Sequence, residues 1–200
     1  MTTKSDSVPA ITADPLFSTN YSIYINHTDA GGIVYHANHL VFFENCRRDW
    51  FTKLNISGYF LQTQEGHIQH FVVSQAQLQY HKAILLDETI EVRIDKVELK
   101  PASIIFYQSI HRRQSIPTQH PKQASSDTLL SSAKIVIACV QNQLNPTASK
   151  NSEPAATLAD GSLSGQSATQ NNQTTSIKPV RVPKSLRDTI EQAIHEYNNR

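Results

Sequence analysis

The stretch His27–Phe51, HTDAGGIVYHANHLVFFENCRRDWF, decides the fold of this 200-residue chain and locates its chemistry. From about Asn38 to Leu54, the residues Leu40, Phe43, Cys46, Trp50 and Leu54 recur at three- and four-residue steps with charged residues between them. That period predicts one helix of about four turns, long enough to lie across a sheet. Ahead of it, a loop carries one carboxylate, Asp29, then Gly31, Gly32, Tyr35 and His36. Glycine lets backbone approach a ligand closely, and the first turn of a helix leaves N–H groups free at the positive end of its dipole. Such a pocket suits a developing oxyanion, and Asp29 beside it supplies the nucleophile or base that acyl transfer needs. Asp-Ala-Gly-Gly is equally an ordinary turn, so the residues alone leave both a catalytic and a structural Asp29 open.

On either side of this stretch the period changes. Upstream, Tyr21, Ile23 and Ile25 alternate with Ser22, Tyr24 and Asn26, which predicts a half-buried strand. Downstream come FVVSQAQLQY (71–80), TIEVRIDKVEL (89–99), ASIIFYQSIH (102–111) and SAKIVIACVQ (132–141), all rich in β-branched and aromatic residues. Turn signals at Leu86-Asp87-Glu88 and Lys100-Pro101 separate the first three. A strand, one helix and then a run of antiparallel strands predict an α+β domain whose curved sheet wraps a central helix. The segment from Val182 to Tyr197 starts with Pro183 and continues as a short amphipathic helix striped by Leu186, Ile190, Ile194 and Tyr197.

Composition agrees with one diluted domain. Hydrophobic residues make up 38% of the chain, below the roughly 45–50% of a compact soluble domain. The deficit is local: residues 146–176 contain no aromatic residue and only Leu158 and Leu163 as large apolar ones, a composition that predicts disorder. A shorter polar run at about 112–127 reads as a long loop, and residues 1–19 as a polar lead. The domain therefore spans 20–200 with two polar insertions and a short C-terminal helix. Eighteen basic against seventeen acidic residues give a net charge of +1, with no local basic stripe, which argues against nucleic acid as a partner. No run approaches the roughly 18 apolar residues of a membrane span, and the N-terminus lacks a secretory pattern, so a cytoplasmic protein is expected. Cys46 and Cys139 lie in apolar runs, outside any metal-type spacing, and read as core thiols. The one Gly-Gly pair is followed by Ile-Val-Tyr-His, which is not a phosphate-cradling pattern.

The run DAGGIVYHANHLVFFE, with SIIFYQSI, AKIVIACV and KPVRVPKSL downstream, resembles the hotdog-fold acyl-CoA thioesterases. The likeness is to the tol-pal-associated YbgC-like branch, related to 4-hydroxybenzoyl-CoA thioesterase, and covers roughly 20–142 and 177–196. The resemblance implies a strongly curved antiparallel sheet around the helix, paired into homodimers or homotetramers with active sites at the subunit interface. It implies Asp29 as the catalytic carboxylate and the backbone N–H at His36 as the group polarising a thioester carbonyl. Gly32 and Tyr35 belong to the same substrate-binding loop. The substrate implied is an acyl-CoA or an acyl carrier protein thioester, with no cofactor and no metal. A thioester carbonyl is weakly resonance-stabilised and its thiolate leaves readily, so a carboxylate and an oxyanion site suffice. Asp29 then attacks to form a mixed anhydride or acts as general base on water, and both routes stay open. His36 either adds a side-chain hydrogen bond or serves the helix start.

The chain departs from the family pattern in two places. Asn26 and His27 stand where the family usually has acidic residues, and Ala83, Ile84, Leu85 and Leu86 occupy an expected strand in which the family often has a basic residue. Lys82, Lys178, Arg181 and Lys184 are the alternative partners for nucleotide phosphates. Of the rival site residues, Glu44 lies about 12 Å along the helix from His36 and reads as a local polar partner. His36 and His39 have no third ligand spaced for a metal, and Phe42, Phe43 and Trp50 read as core. Rival functions are a non-catalytic acyl-CoA or acyl-carrier-protein binding module of an envelope complex, and a hotdog dehydratase, which the Asp-first loop order disfavours.

Overall fold

The computed structural model describes residues 14–56, 60–62, 68–113, 128–143 and 176–200. The polar stretches expected at 112–127 and 146–176 lie almost wholly outside these residues, as does most of the 1–19 lead. In chain order the elements are β1 (Phe17–Ser22), a 3-10 turn (Ile25–His27), α1 (Asn38–Lys53), β2 (Phe60–Gln62), β3 (Ile68–Tyr80), β4 (Thr89–Leu99), β5 (Ser103–Arg112), β6 (Thr128–Gln143), β7 (Ser176–Pro179) and α2 (Lys184–Asn198).

The strands form one antiparallel sheet in the order β1-β4-β5-β6-β3-β2, with β7 pairing the end of β6. Register shifts at Val73/Gln75, Ile94/Lys96 and Ile110/His111 break the ladders of β3, β4 and β5. Such bulges bend a strand and increase its twist, which lets a sheet curl over a helix. The burial parity of β4 shows the shift directly: Ile90, Val92 and Ile94 are buried, and the next buried apolar residue is Val97.

α1 is the helix that the sequence period predicts, and its buried face keeps Phe43, Cys46 and Trp50 of the expected stripe but is broader and leaves out Leu40. The buried residues are His39, Phe42, Phe43, Cys46, Arg47, Trp50 and Phe51, while Leu40 is 38% exposed. Phe42, Phe43, Cys46, Trp50 and Phe51 share a core with Val92, Ile94, Ile104, Phe106, Ile135 and Ile137 of the sheet. Arg47 enters that core with its charge paired at both terminal nitrogens, while its buried Nε meets no hydrogen-bond partner among the described residues. Its Nη1 donates to Gln108 Oε1 at 2.7 Å, it bonds Glu44, and its guanidinium lies 5.7 Å from the Phe106 ring centroid. Leu186 and Ile190 bring α2 into the same core. Arg187 Nη2 fastens that helix to the carbonyl of Lys100 at 2.7 Å.

Two details differ from the sequence expectation. The chain after Ser22 is not a continued strand: Ile23 is buried, but Ile25 is 72% exposed in the 3-10 turn. His27 Nδ1 accepts the N–H of Tyr24 at 3.0 Å and closes that turn. The Ala83–Leu86 stretch is a loop, not a strand, apart from one bridge between Ile33 and Leu85.

Candidate active site

The site is built on the chain between the 3-10 turn and α1. Asp29 N–H donates to the carbonyl of Ile33 (2.9 Å), Gly32 N–H donates back to the carbonyl of Asp29 (3.1 Å), and Thr28 bridges Val34. This is a miniature hairpin closed by a glycine bulge, and Gly32 takes the required left-handed conformation with φ 72°. The Asp29 carboxylate folds over the turn, Oδ1 accepting the N–H groups of Gly31 at 2.8 Å and Ile33 at 3.4 Å. Gly31 leaves room for this, since a Cβ there would lie 3.2 Å from the same Oδ1. Asp29 is exposed, and among the described residues its Oδ2 has no hydrogen-bond partner.

Backbone bonds dock the hairpin. Val34 N–H donates to Ile84 at 2.9 Å, Leu86 N–H to Gly32 at 3.0 Å, and Tyr35 N–H to His27 at 3.0 Å. Asn38 Nδ2 also donates to the His27 carbonyl, at 2.7 Å, tying the first residue of α1 to the loop. The N-cap of α1 is Ala37, which supplies no side-chain cap, so the leading N–H groups are not consumed by a hydroxyl or carboxylate. The Tyr35 carbonyl accepts Asn38 N–H at 2.8 Å. In a trans peptide this aims the His36 N–H the opposite way, and among the described residues it meets no protein acceptor. The Tyr35 and His36 rings lie against each other, 4.2 Å between centroids.

Beside the helix entrance opens a cleft of about 270 Å³. Ile33, Val34 and Ile84 form its apolar wall, and His36, His39, Tyr80, His81 and Lys82 its polar one. The structure thus joins His36 to this cleft and keeps Asp29, Gly32 and Tyr35 in the adjoining exposed hairpin, off the cleft wall. His39 is 4% exposed, with Nδ1 3.0 Å from Ser131 Oγ and its ring edge-to-face with Tyr80 at 5.0 Å. Burial foremost, then the nearby His36, lowers its pKa to about 4, so the ring is neutral.

Among the other candidates, Glu44 is engaged by Arg47 and Arg48. Among the described residues no cluster of three or more His, Cys, Asp or Glu side chains is arranged to hold a metal ion. Lys82 is the one of the four candidate phosphate partners placed on the cleft, while Lys184 pairs with Asp188 at 2.6 Å. Nothing in the sequence marks His39 and Tyr80 as parts of one site, because what joins them is cross-strand: Tyr80 and Ser131 are register partners on β3 and β6 and meet His39 together. No described helix is long and apolar enough to cross a membrane.

Comparison with known proteins bears on the family and the fold. The thioesterase superfamily profile matches residues 31–116. The acyl-CoA thioesterase YbgC of Haemophilus influenzae is 32% identical over 133 residues, 66% of this chain and 87% of that relative. Among solved structures, the Dynemicin thioesterase aligns with a TM-score of 0.58 at 15% identity, over 90% of this chain and 97% of its own. A variant of 4-hydroxybenzoyl CoA thioesterase, complexed with 4-hydroxybenzoyl CoA, aligns with a TM-score of 0.53 at 12% identity, over 88% of this chain and 96% of its own. The curled sheet around α1 is thus the hotdog fold of these enzymes, and by its likeness to YbgC the chain belongs to the thioesterase superfamily.

Proposed function

We propose that the chain hydrolyses acyl-CoA thioesters to free coenzyme A and a carboxylic acid. In this reading Asp29 is the nucleophile or general base, and the His36 N–H polarises the thioester carbonyl. The observation that carries it is the hairpin that joins an exposed carboxylate directly to an uncapped helix entrance bordering a cleft. Oδ1 is held by two N–H groups, which leaves Oδ2 to react. In the nucleophilic route Oδ2 bonds to the carbonyl carbon and the C–S bond breaks. The thiolate leaves and is protonated, and water then cleaves the mixed anhydride. In the general-base route Oδ2 takes a proton from water as the water oxygen attacks the same carbon; the C–S bond then breaks, and the leaving thiolate takes up the proton, which returns Asp29 to its carboxylate. Gly32 and Tyr35 bind the substrate beside it, and Lys82 is the cleft cation nearest in kind to a phosphate partner. The YbgC relative, named as an acyl-CoA thioesterase, supports the substrate class.

The active unit in this reading is a homodimer or homotetramer. Support comes from exposed apolar side chains on the hairpin and the segment bridged to it: Ile33 is 41%, Tyr35 48% and Leu85 46% exposed, with Ile33 and Leu85 paired across a bridge. Apolar side chains gathered at one site are the usual mark of a surface that is covered in the working assembly.

The test is free-thiol release from a panel of acyl-CoAs by wild type and Asp29→Asn, with light scattering on both. Loss of a catalytic base or nucleophile is expected to lower turnover about 100-fold or more with fold and oligomer unchanged. A variant that keeps most of its turnover sinks the assignment, and a wild type that binds acyl-CoA without hydrolysis supports a binding module in its place.

A further inference from the structure

We infer that Tyr80 is a positioning residue that fixes the peptide at the entrance of α1. The inference rests on the proposed role of the His36 N–H and extends it. Two peptide planes meet at the His36 Cα. The first, Tyr35–His36, is held by Asn38 N–H on the Tyr35 carbonyl at 2.8 Å. The second, His36–Ala37, lies outside the regular helix ladder, because Leu40 N–H donates to Ala37, at 3.1 Å. Its carbonyl instead accepts the Tyr80 hydroxyl at 3.2 Å. Planarity then sets the direction of the Ala37 N–H, opposite to that bond, and removes the remaining rotation at His36.

Tyr80 is itself held, although it is 53% exposed. It is the cross-strand partner of Ser131, and the His39 ring sits against both, edge-on to Tyr80 at 5.0 Å and 3.0 Å from Ser131 Oγ. The rigid β3–β6 ladder thereby reaches through a neutral histidine and a phenol to the backbone beside the reacting carbonyl. Oxyanion donors work by being aimed before the charge develops, and a backbone donor has no side chain by which to be aimed. Asn38 aims the His36 N–H through the Tyr35 carbonyl, and the Tyr80 hydroxyl fixes the next peptide, so that the Ala37 N–H is aimed and the His36 backbone cannot swing.

Tyr80→Phe tests this, since it removes the hydroxyl and keeps the ring against His39. The expected result is a kcat about three- to tenfold lower, the worth of one hydrogen bond, with KM for the acyl-CoA within about twofold. The amide resonance of Ala37 is expected to move and to exchange faster with solvent. A purely structural Tyr80 lowers thermal stability without that split. If the variant matches wild type in kcat, or loses only in KM, with the Ala37 amide unmoved, the positioning role is overturned while the thioesterase reading stands. If the wild type releases no thiol from any acyl-CoA, the thioesterase reading itself is overturned, and this role with it.

Discussion

Replacing His39 with asparagine is expected to flatten the loss of stability on acidification. The folded protein holds this ring neutral because burial lowers its pKa from 6.5 to about 4. The unfolded chain takes up a proton near pH 6.5 that the folded chain refuses until near pH 4. The contribution to stability is therefore complete above pH 6.5 and is lost as the pH falls from there towards 4. The whole gap corresponds to at most about 3 kcal/mol. Roughly 2 kcal/mol of that falls between pH 8 and pH 5. The ring borders an open cleft, so solvent screening trims the measurable loss to about 1 kcal/mol or somewhat more. His39→Asn keeps an amide near the Nδ1 position, 3.0 Å from Ser131 Oγ in the parent, and deletes the titration. Urea unfolding of both proteins at pH 8, 7, 6 and 5 isolates the effect, because every other histidine is common to the pair. The advantage of wild type over variant should shrink by about 1–2 kcal/mol across that range. Parallel curves, or an advantage that grows on acidification, refute the reasoning.

Three further outcomes are expected. Gly32→Ala forces a side chain onto φ 72° and should cost about 1–2 kcal/mol together with a fall in kcat; Gly32→Asn, which tolerates that conformation, should recover most of the stability in thermal melts. Arg47→Ala leaves the Oε1 of Gln108, 1% exposed, without its donor and empties the space of a fully buried side chain, at a cost of about 3 kcal/mol, whereas Arg47→Met combined with Gln108→Leu should restore much of it in denaturant titrations. Burial pushes the Cys139 thiol up to about 11 and the Cys46 thiol higher still. Iodoacetamide at pH 8 should therefore spare both cysteines in the native protein and label both in denaturant, as read by intact mass.

Most of the sheet is legible in the sequence because burial there is written in residue type. The run 89–99 coincides with β4, and the runs at 71–80, 102–111 and 132–141 fall inside or across β3, β5 and β6 within a few residues. What the residues hide is burial that depends on a distant partner. Leu40 looks more deserving of the core than His39, and Arg47 looks like solvent-facing charge. Yet Ser131 meets His39 from 92 positions away and Gln108 meets Arg47 from 61 away, so the buried face of α1 keeps Phe43, Cys46 and Trp50 from the apolar period and widens to polar residues that the period does not mark. The strand read across Tyr21–Asn26 holds only to Ser22, for a related reason: the His27 ring accepts the Tyr24 N–H and turns the chain, which alternation cannot show. β2 and β7 are short strands whose residues carry too little pattern to stand out.

The candidate site was legible for a different reason, and the same reason governs what substitution does to it. Its hairpin is fastened by Val34 N–H to Ile84, Leu86 N–H to Gly32 and Tyr35 N–H to His27, all backbone to backbone. Side chains can change around these bonds without moving Asp29, provided that the carboxylate and the left-handed glycine remain. The apolar Ala83–Leu86 stretch therefore still docks the loop although it lacks a basic residue; what it forfeits is charge, not position. With eighteen basic and seventeen acidic residues the chain has no net field to gather a polyanionic ligand. Salt also confines each charge to about 8 Å under physiological conditions. If the proposed acyl-CoA reading holds, recognition of the phosphate groups falls to cations at the site itself, and Lys82, which lines the cleft with His81 and His36, is the one to test.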